Sequence, residues 1–247
     1  DFKELLLDVT TSPVTGINGQ SHLYSLNYDS TRIDTIRLNL TQKGERLSYQ
    51  AQVRNNKKNP QFVFNALIDG HFHEHGALAG LRYYDDKEKL GLRIGATAEM
   101  EKDGIRFKLM PDRPTIGYKE FNLNKDNFIF MAKNNKIQAK VDLISDDNTG
   151  LKLYTERQDS TMLQDLTVSL HQIDLGEVTS VLPYLPKITG KLNGDYHIMQ
   201  DQNERISVAS DMAVHNMTYE GSHIGNLSTE LVYLQIEGDD EQQSAGA

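Results

Sequence analysis

The chain has 247 residues, 25% of them charged and 38% hydrophobic, with a formal net charge of −9. That length is enough for one large β domain or two smaller ones, and the balance is that of a folded chain. The acidic excess, with no dense Lys/Arg cluster, argues against a nucleic-acid binder. The absence of cysteine excludes disulfides, thiolate metal sites and cysteine nucleophiles.

A strand-like run begins almost at once, at Phe2–Val9. Strict two-residue alternation follows at Ile36–Leu40, Leu47–Val53, Phe62–Ile68, Leu90–Met100 and Ile105–Leu109. In Leu90–Met100, for example, Leu90, Leu92, Ile94, Ala96, Ala98 and Met100 oppose Arg93, Thr97 and Glu99. Side chains on a strand point alternately to opposite faces, so each run has one apolar and one wet side. A loop carrying Pro111 and Pro114 divides the chain into an N-terminal β block, 1–110, and a second block, 111–237, continuous with the first. In the second block the alternation returns at Ile137–Leu143, Leu166–Leu170, Leu192–Ile198 and Ile206–Val214. Between the runs lie turn pairs such as Lys43-Gly44, Asp103-Gly104 and Glu220-Gly221, which predict a meander of hairpins. One short helix is predicted near 174–184. Asp174 is its N-cap, Glu177 a carboxylate three residues on, Val178, Val181 and Leu182 its apolar stripe, and Pro183 its end. The tail, 238–247, is polar and small and is expected to be disordered. The fold class is therefore all-β: mostly antiparallel amphipathic sheet with one short helix.

Three clusters invite a chemical reading. On a strand, His71, His73 and His75 would point the same way, a candidate row of metal ligands; the plainer reading is a solvent-facing strand edge. Asp146-Asp147-Asn148-Thr149-Gly150 shares its Asx/Gly content with calcium loops but lacks the bidentate Glu, and reads as a hairpin turn. Asn39, Asn216 and Asn226 open short glycosylation patterns that this composition produces by chance. No nucleophile elbow, His-Glu-x-x-His, phosphate loop or dinucleotide fingerprint is present, so no catalytic residue, cofactor or metal is assigned. The longest apolar run is too short to span a membrane. With no initiating Met or signal peptide, the chain reads as a piece of something longer.

The last third carries a familiar order of elements. Met162–Leu170 precedes the short helix; Leu185-Pro186 and Ile188-Thr189-Gly190-Lys191-Leu192-Asn193-Gly194 follow it. Then comes Tyr219-Glu220-Gly221-Ser222-His223-Ile224-Gly225-Asn226-Leu227. This resembles the TamB-like envelope proteins (translocation and assembly module, within the AsmA-like group) of Bacteroidetes type. Phe121–Phe130, Lys136–Ala139 and Asp147–Leu151 are similar as well, so the resemblance covers about Leu81–Leu234.

The resemblance implies a β-taco: a curved sheet folded into a U with an apolar inner surface. It implies a parent protein anchored in the inner membrane that crosses the periplasm, contributes to outer-membrane biogenesis and lets phospholipid slide along the groove. Some members partner an outer-membrane barrel of the assembly-factor superfamily. On that basis this is an internal, non-enzymatic stretch with an acyl-chain ligand, and Leu192, Tyr196, Ile198, Ile206, Val208, Met212 and Val214 are expected to face the groove. The alternative is a closed β-sandwich, sealed at both ends, that binds glycan or protein through its loops.

Overall fold

In the computed structural model, which describes residues 1–156 and 162–235, the alternating runs are strands of a single sheet. In chain order the elements are β1 (Glu4–Ser12), β2 (Gly16–Tyr28), β3 (Thr31–Lys43), β4 (Arg46–Asn55), β5 (Phe64–His73), β6 (Gly76–Tyr84), β7 (Leu90–Glu101), β8 (Gly104–Ile116), β9 (Lys119–Glu120), β10 (Asn122–Leu123), β11 (Phe128–Ala132), β12 (Ile137–Ile144), β13 (Gly150–Thr155), β14 (Met162–Asp174), α1 (Leu175–Ser180), β15 (Ile188–Asp201), β16 (Ile206–Tyr219) and β17 (Ser222–Leu234).

Each strand from β1 to β8 pairs antiparallel with the next. The sheet continues through β11 and β12 to β17 in the same manner. The two short strands are side branches: β9 folds back on β8 and β10 extends the line of β11 along β12. Where β11 and β10 break, the Asn127 side chain replaces the missing ladder. Its Oδ1 accepts from Leu109 N at 2.7 Å, and its Nδ2 donates to Leu109 O. Gln164 does the same for Ile137, accepting from its N at 2.7 Å and donating to its O at 2.8 Å. Both amides are buried because each stands in for backbone that must be satisfied.

Residues directly opposite one another in an antiparallel ladder share a face, so the registers trace one apolar surface through the sheet. Val53, Ala66, Tyr83 and Leu92 lie in one row of it, and Ala51, Ile68, Leu81 and Ile94 in the next. Beyond β8 the same face carries Phe107 and Ile129, then Ala139, Val141 and Leu153.

The sheet bends toward this face. β14 stands seven places from β5 in the strand order, which in a flat sheet would be about 34 Å. Yet Val181, seven residues beyond the end of β14, is buried against Phe64 and Tyr83. Seven residues reach only about 25 Å even when fully extended, and six of these are coiled into α1. The strands must therefore curl until β14 approaches β5. Irregularities in register at Arg93/Gly95, Leu170/Ile173, Thr189/Lys191 and Val214/Met217 lie toward one end of their strands. Such bulges bend the strand that carries them.

The curl does not close. Among the described residues β1 pairs only with β2 and β17 only with β16. The sandwich alternative is corrected here, because there is one open sheet where a sandwich needs two packed ones. The sheet is also unbroken at residue 110, since β8 runs through it and holds β7 on one side and β11 on the other. The predicted tail 238–247 lies outside the described residues. No helix among them is long and apolar enough to cross a membrane.

Candidate functional site

The segment between β14 and β15 acts as a strap across one end of the concave face. Asp174 caps α1 as predicted, its Oδ1 accepting from Glu177 N at 3.0 Å. The helix ends at Ser180, inside the predicted 174–184, with Val181 as its C-cap and Pro183 unable to continue it. The chain then turns through Tyr184, whose Oη donates to Arg32 O at 2.7 Å and accepts from Asn55 Nδ2 at 2.8 Å. Its ring stands edge-on to Phe62 at 4.9 Å between centroids.

Two glycines permit this close seating. A Cβ on Gly91 would fall 2.7 Å from Val181 Cγ1, and one on Gly117 would fall 2.6 Å from the Glu177 backbone; Gly117 also holds a left-handed φ of 60°.

Charges tie the strap to both sides. Lys119, next to β8, reaches Asp147 at 2.8 Å and Glu177 at 3.5 Å. The hydrogen bond to Asp147, aided by Glu177, raises the Lys119 ammonium above its ordinary value against the opposing effect of burial. Asp147 in turn is held well below the carboxylate range, first by Lys119 and then by Ser145 and Thr149. At Asp174 burial works upward, but Lys191 at 2.8 Å and the amide of Glu177 outweigh it and bring the carboxyl down. Burial first, then Asp85, Tyr83 and Asp86, push the Tyr118 phenol beside the strap up to about 12.

A pH prediction follows from the two depressed carboxyls. A carboxyl lowered in the folded state stabilises fully above its unfolded value and loses that contribution as pH falls through its folded value. Thermal melts should therefore lose stability as pH drops below the ordinary value of 3.8. Asp174→Asn keeps an N-cap but removes the charge facing Lys191, so its melting temperature should fall less steeply over that window. Parallel slopes for the two proteins would count against the Asp174–Lys191 pair.

Away from the strap the apolar face is open. On β5 the buried Phe64 lies at the strap end and the exposed Phe72 at the other. Met100, Ile105 and Met131, neighbours across β7, β8 and β11, are exposed at that far end too. Near the strap, by contrast, Phe121, Leu123, Val141 and Leu143 form a buried cluster.

The seven positions predicted from sequence all lie on this apolar face. Leu192 opposes Val214, Gly194 opposes Met212, Tyr196 opposes Ser210, Ile198 opposes Val208 and Gln200 opposes Ile206. Val214 is buried, Ile206 exposed and the rest partly covered; Tyr196 Oη contacts Met212 Sδ at 2.8 Å.

The histidine row does not form. β5 ends at His73, and His75 sits in the turn that joins it to β6, so only His71 and His73 share a face, the polar one. His71 Nδ1 is taken by Arg46 at 2.9 Å, and His73 lies 3.4 Å from Glu99. Burial, then Arg46 and His73, lower the His71 value. The Asp146–Gly150 segment is a hairpin turn whose Asp147 Oδ1 accepts from Thr149 N at 3.1 Å.

One group that sequence spacing could not show is Glu156, Asp165 and His197, whose ligand atoms lie within 4.8 Å of one another. Only strand register brings them together. His197 Nε2 meets the buried Asp165 at 2.6 Å, and Thr167 donates to Glu156 at 3.0 Å. No protein-family model, curated protein or solved structure matches this chain.

Proposed function

We propose that this chain is a non-catalytic, lipid-handling segment of a TamB-like envelope protein that crosses the periplasm and contributes to outer-membrane biogenesis. The observation that carries the reading is the concave, mainly apolar face, which continues from strand to strand and, among the described residues, has no second sheet over it. Closed cores bury such a face; here its residues are largely half-buried, and at the far end they are exposed. Leaving so large an apolar surface wet is unfavourable by roughly 25 cal/mol per Å², and contiguous exposed apolar area marks a binding surface. An acyl chain fits it because it is long, flexible and needs no directional polar partner. Its headgroup would remain outside, toward water.

In this reading Leu192, Tyr196, Ile198, Ile206, Val208, Met212 and Val214 act together as a surface, and no single one is essential. A charge among them would have to be buried beside the lipid tail, which is strongly unfavourable. The test is native mass spectrometry of the chain extracted gently from a Gram-negative envelope, with lipid analysis of what co-purifies. The expected result is phospholipid at defined stoichiometry, lost in the Val208→Asp/Met212→Arg variant while its strand content, read by circular dichroism, is kept. A lipid-free wild type that takes up no added phospholipid would sink the proposal.

A further inference from the structure

We propose that the far rim of the concave face, at the turns joining β7 to β8 and β11 to β12, is the mouth through which an anionic phospholipid enters. This rests on the lipid-handling reading above and adds a place, a direction and a headgroup charge to it.

The strap decides the direction. It closes one end of the face with Val181 and Tyr184, and the apolar residues there are buried. At the other end Met100 is 64% exposed, Met131 47% and Ile105 39%. These three are cross-strand neighbours, Met100 opposite Ile105 and Ile105 opposite Met131. They form an apolar lip in which Ile105 is flanked by two unbranched, flexible methionines that can follow the shape of a sliding acyl chain.

The charge follows from the turns beside that lip. Ala132 pairs with Gly104, and Lys133 N donates to Asp103 O at 2.9 Å, so the two turns lie side by side. They carry Lys102, Lys133 and Lys136, and none of the three forms an ion pair among the described residues. Of the two acids in the first turn, Glu101 is occupied by Arg106 at 2.5 Å, which leaves Asp103. The rim is therefore net positive on a chain whose net charge is −9. A phosphate at the height of the lysines places its tails against Met100, Ile105 and Met131. One molecule thus meets both the charge and the apolar lip, which a free phosphate does not.

The test incubates the full chain with phosphatidylglycerol or with phosphatidylcholine of the same acyl chains and counts bound lipid by native mass spectrometry. Phosphatidylglycerol should be preferred about tenfold or more, since a lysine near an anionic headgroup contributes about a fivefold effect. Lys102→Gln/Lys133→Gln/Lys136→Gln should abolish the preference while leaving phosphatidylcholine uptake in place. Lys57→Gln/Lys58→Gln, in the loop at the strap end, should change nothing.

Equal uptake of the two lipids by the wild type, or an unchanged preference in the triple variant, would overturn the mouth and leave the lipid reading standing. Uptake of neither lipid would remove both. Inorganic phosphate that binds the lysines without any lipid uptake would also overturn the mouth.

Discussion

Val181→Asp is expected to destabilise the chain by about 3–5 kcal/mol, the usual consequence of an uncompensated buried charge. Val181 is 3% exposed and packs on Phe64 and Tyr83, with Leu92, Tyr118 and Tyr184 around them. A carboxylate there would sit among these apolar and aromatic side chains, and Lys119, which ties the strap down, is already engaged by Asp147 and Glu177. In a chain of this size such a loss lowers the melting temperature by about 10 °C or more. Val181→Ala should cost less, about 1–2 kcal/mol, from lost methyl burial and a small cavity.

The comparison that isolates the strap is Val232→Asp on the edge strand β17, where Val232 is 73% exposed and the change should stay within about 0.5 kcal/mol. The measurement is urea denaturation of all three variants. Equal midpoints for Val181→Asp and Val232→Asp would mean that the strap does not hold the curl.

Asn55 should be the second sensitive point, with Asn55→Leu costing about 3 kcal/mol. Its side chain is 1% exposed and makes three hydrogen bonds. Its Oδ1 accepts from Asp34 N at 2.9 Å; its Nδ2 donates to Arg32 O at 3.2 Å and to Tyr184 Oη at 2.8 Å. Leucine has similar bulk but leaves the Asp34 amide unsatisfied, and an orphaned buried donor costs about 1–3 kcal/mol beyond the bonds lost.

Tyr184→Phe removes only the strap's side of this junction and should cost about 1 kcal/mol, because Arg32 O keeps Asn55 and Asn59 as donors. The two substitutions share a hydrogen bond, so their double-mutant cycle should show a coupling of about 0.5 kcal/mol or more. Strict additivity would show that Tyr184 is held by its ring contacts with Phe62 and Phe64 and not by the Asn55 amide.

How much of this was legible in the sequence differs from element to element. Alternation in Leu47–Val53, Leu90–Met100, Ile137–Leu143 and Ile206–Val214 named both the strands and their apolar faces, because side-chain direction in a strand is a local property. The start of β5 was misplaced: Phe62 belongs to a loop and packs on Tyr184 instead of entering the ladder. The short β9 and β10 carry too few residues to show a period. Much of β2 was hidden because the polar Ser21 and the small Gly19 fall on the apolar face between Leu23 and Ile17. In the helix, the Asp174 cap and Pro183 fixed the limits to within a turn.

The glycines of the family-like stretch also have local explanations. Gly190 and Gly225 lie at register irregularities and Gly221 in the β16–β17 turn, all at positive φ.

The sequence by itself therefore determined the strand class, the two-faced character of the sheet and the seven positions that share its apolar side. Each follows from a period of two and from turn chemistry acting over a few residues. Tertiary structure alone decided that the sheet curls without closing, that Val181 and Tyr184 strap one end, and that Met100, Ile105 and Met131 stay open at the other. The same is true of His197 meeting Asp165. All of these depend on register and curvature summed over many strands, and no local pattern encodes contacts between residues more than a hundred positions apart, such as Asn55 and Tyr184.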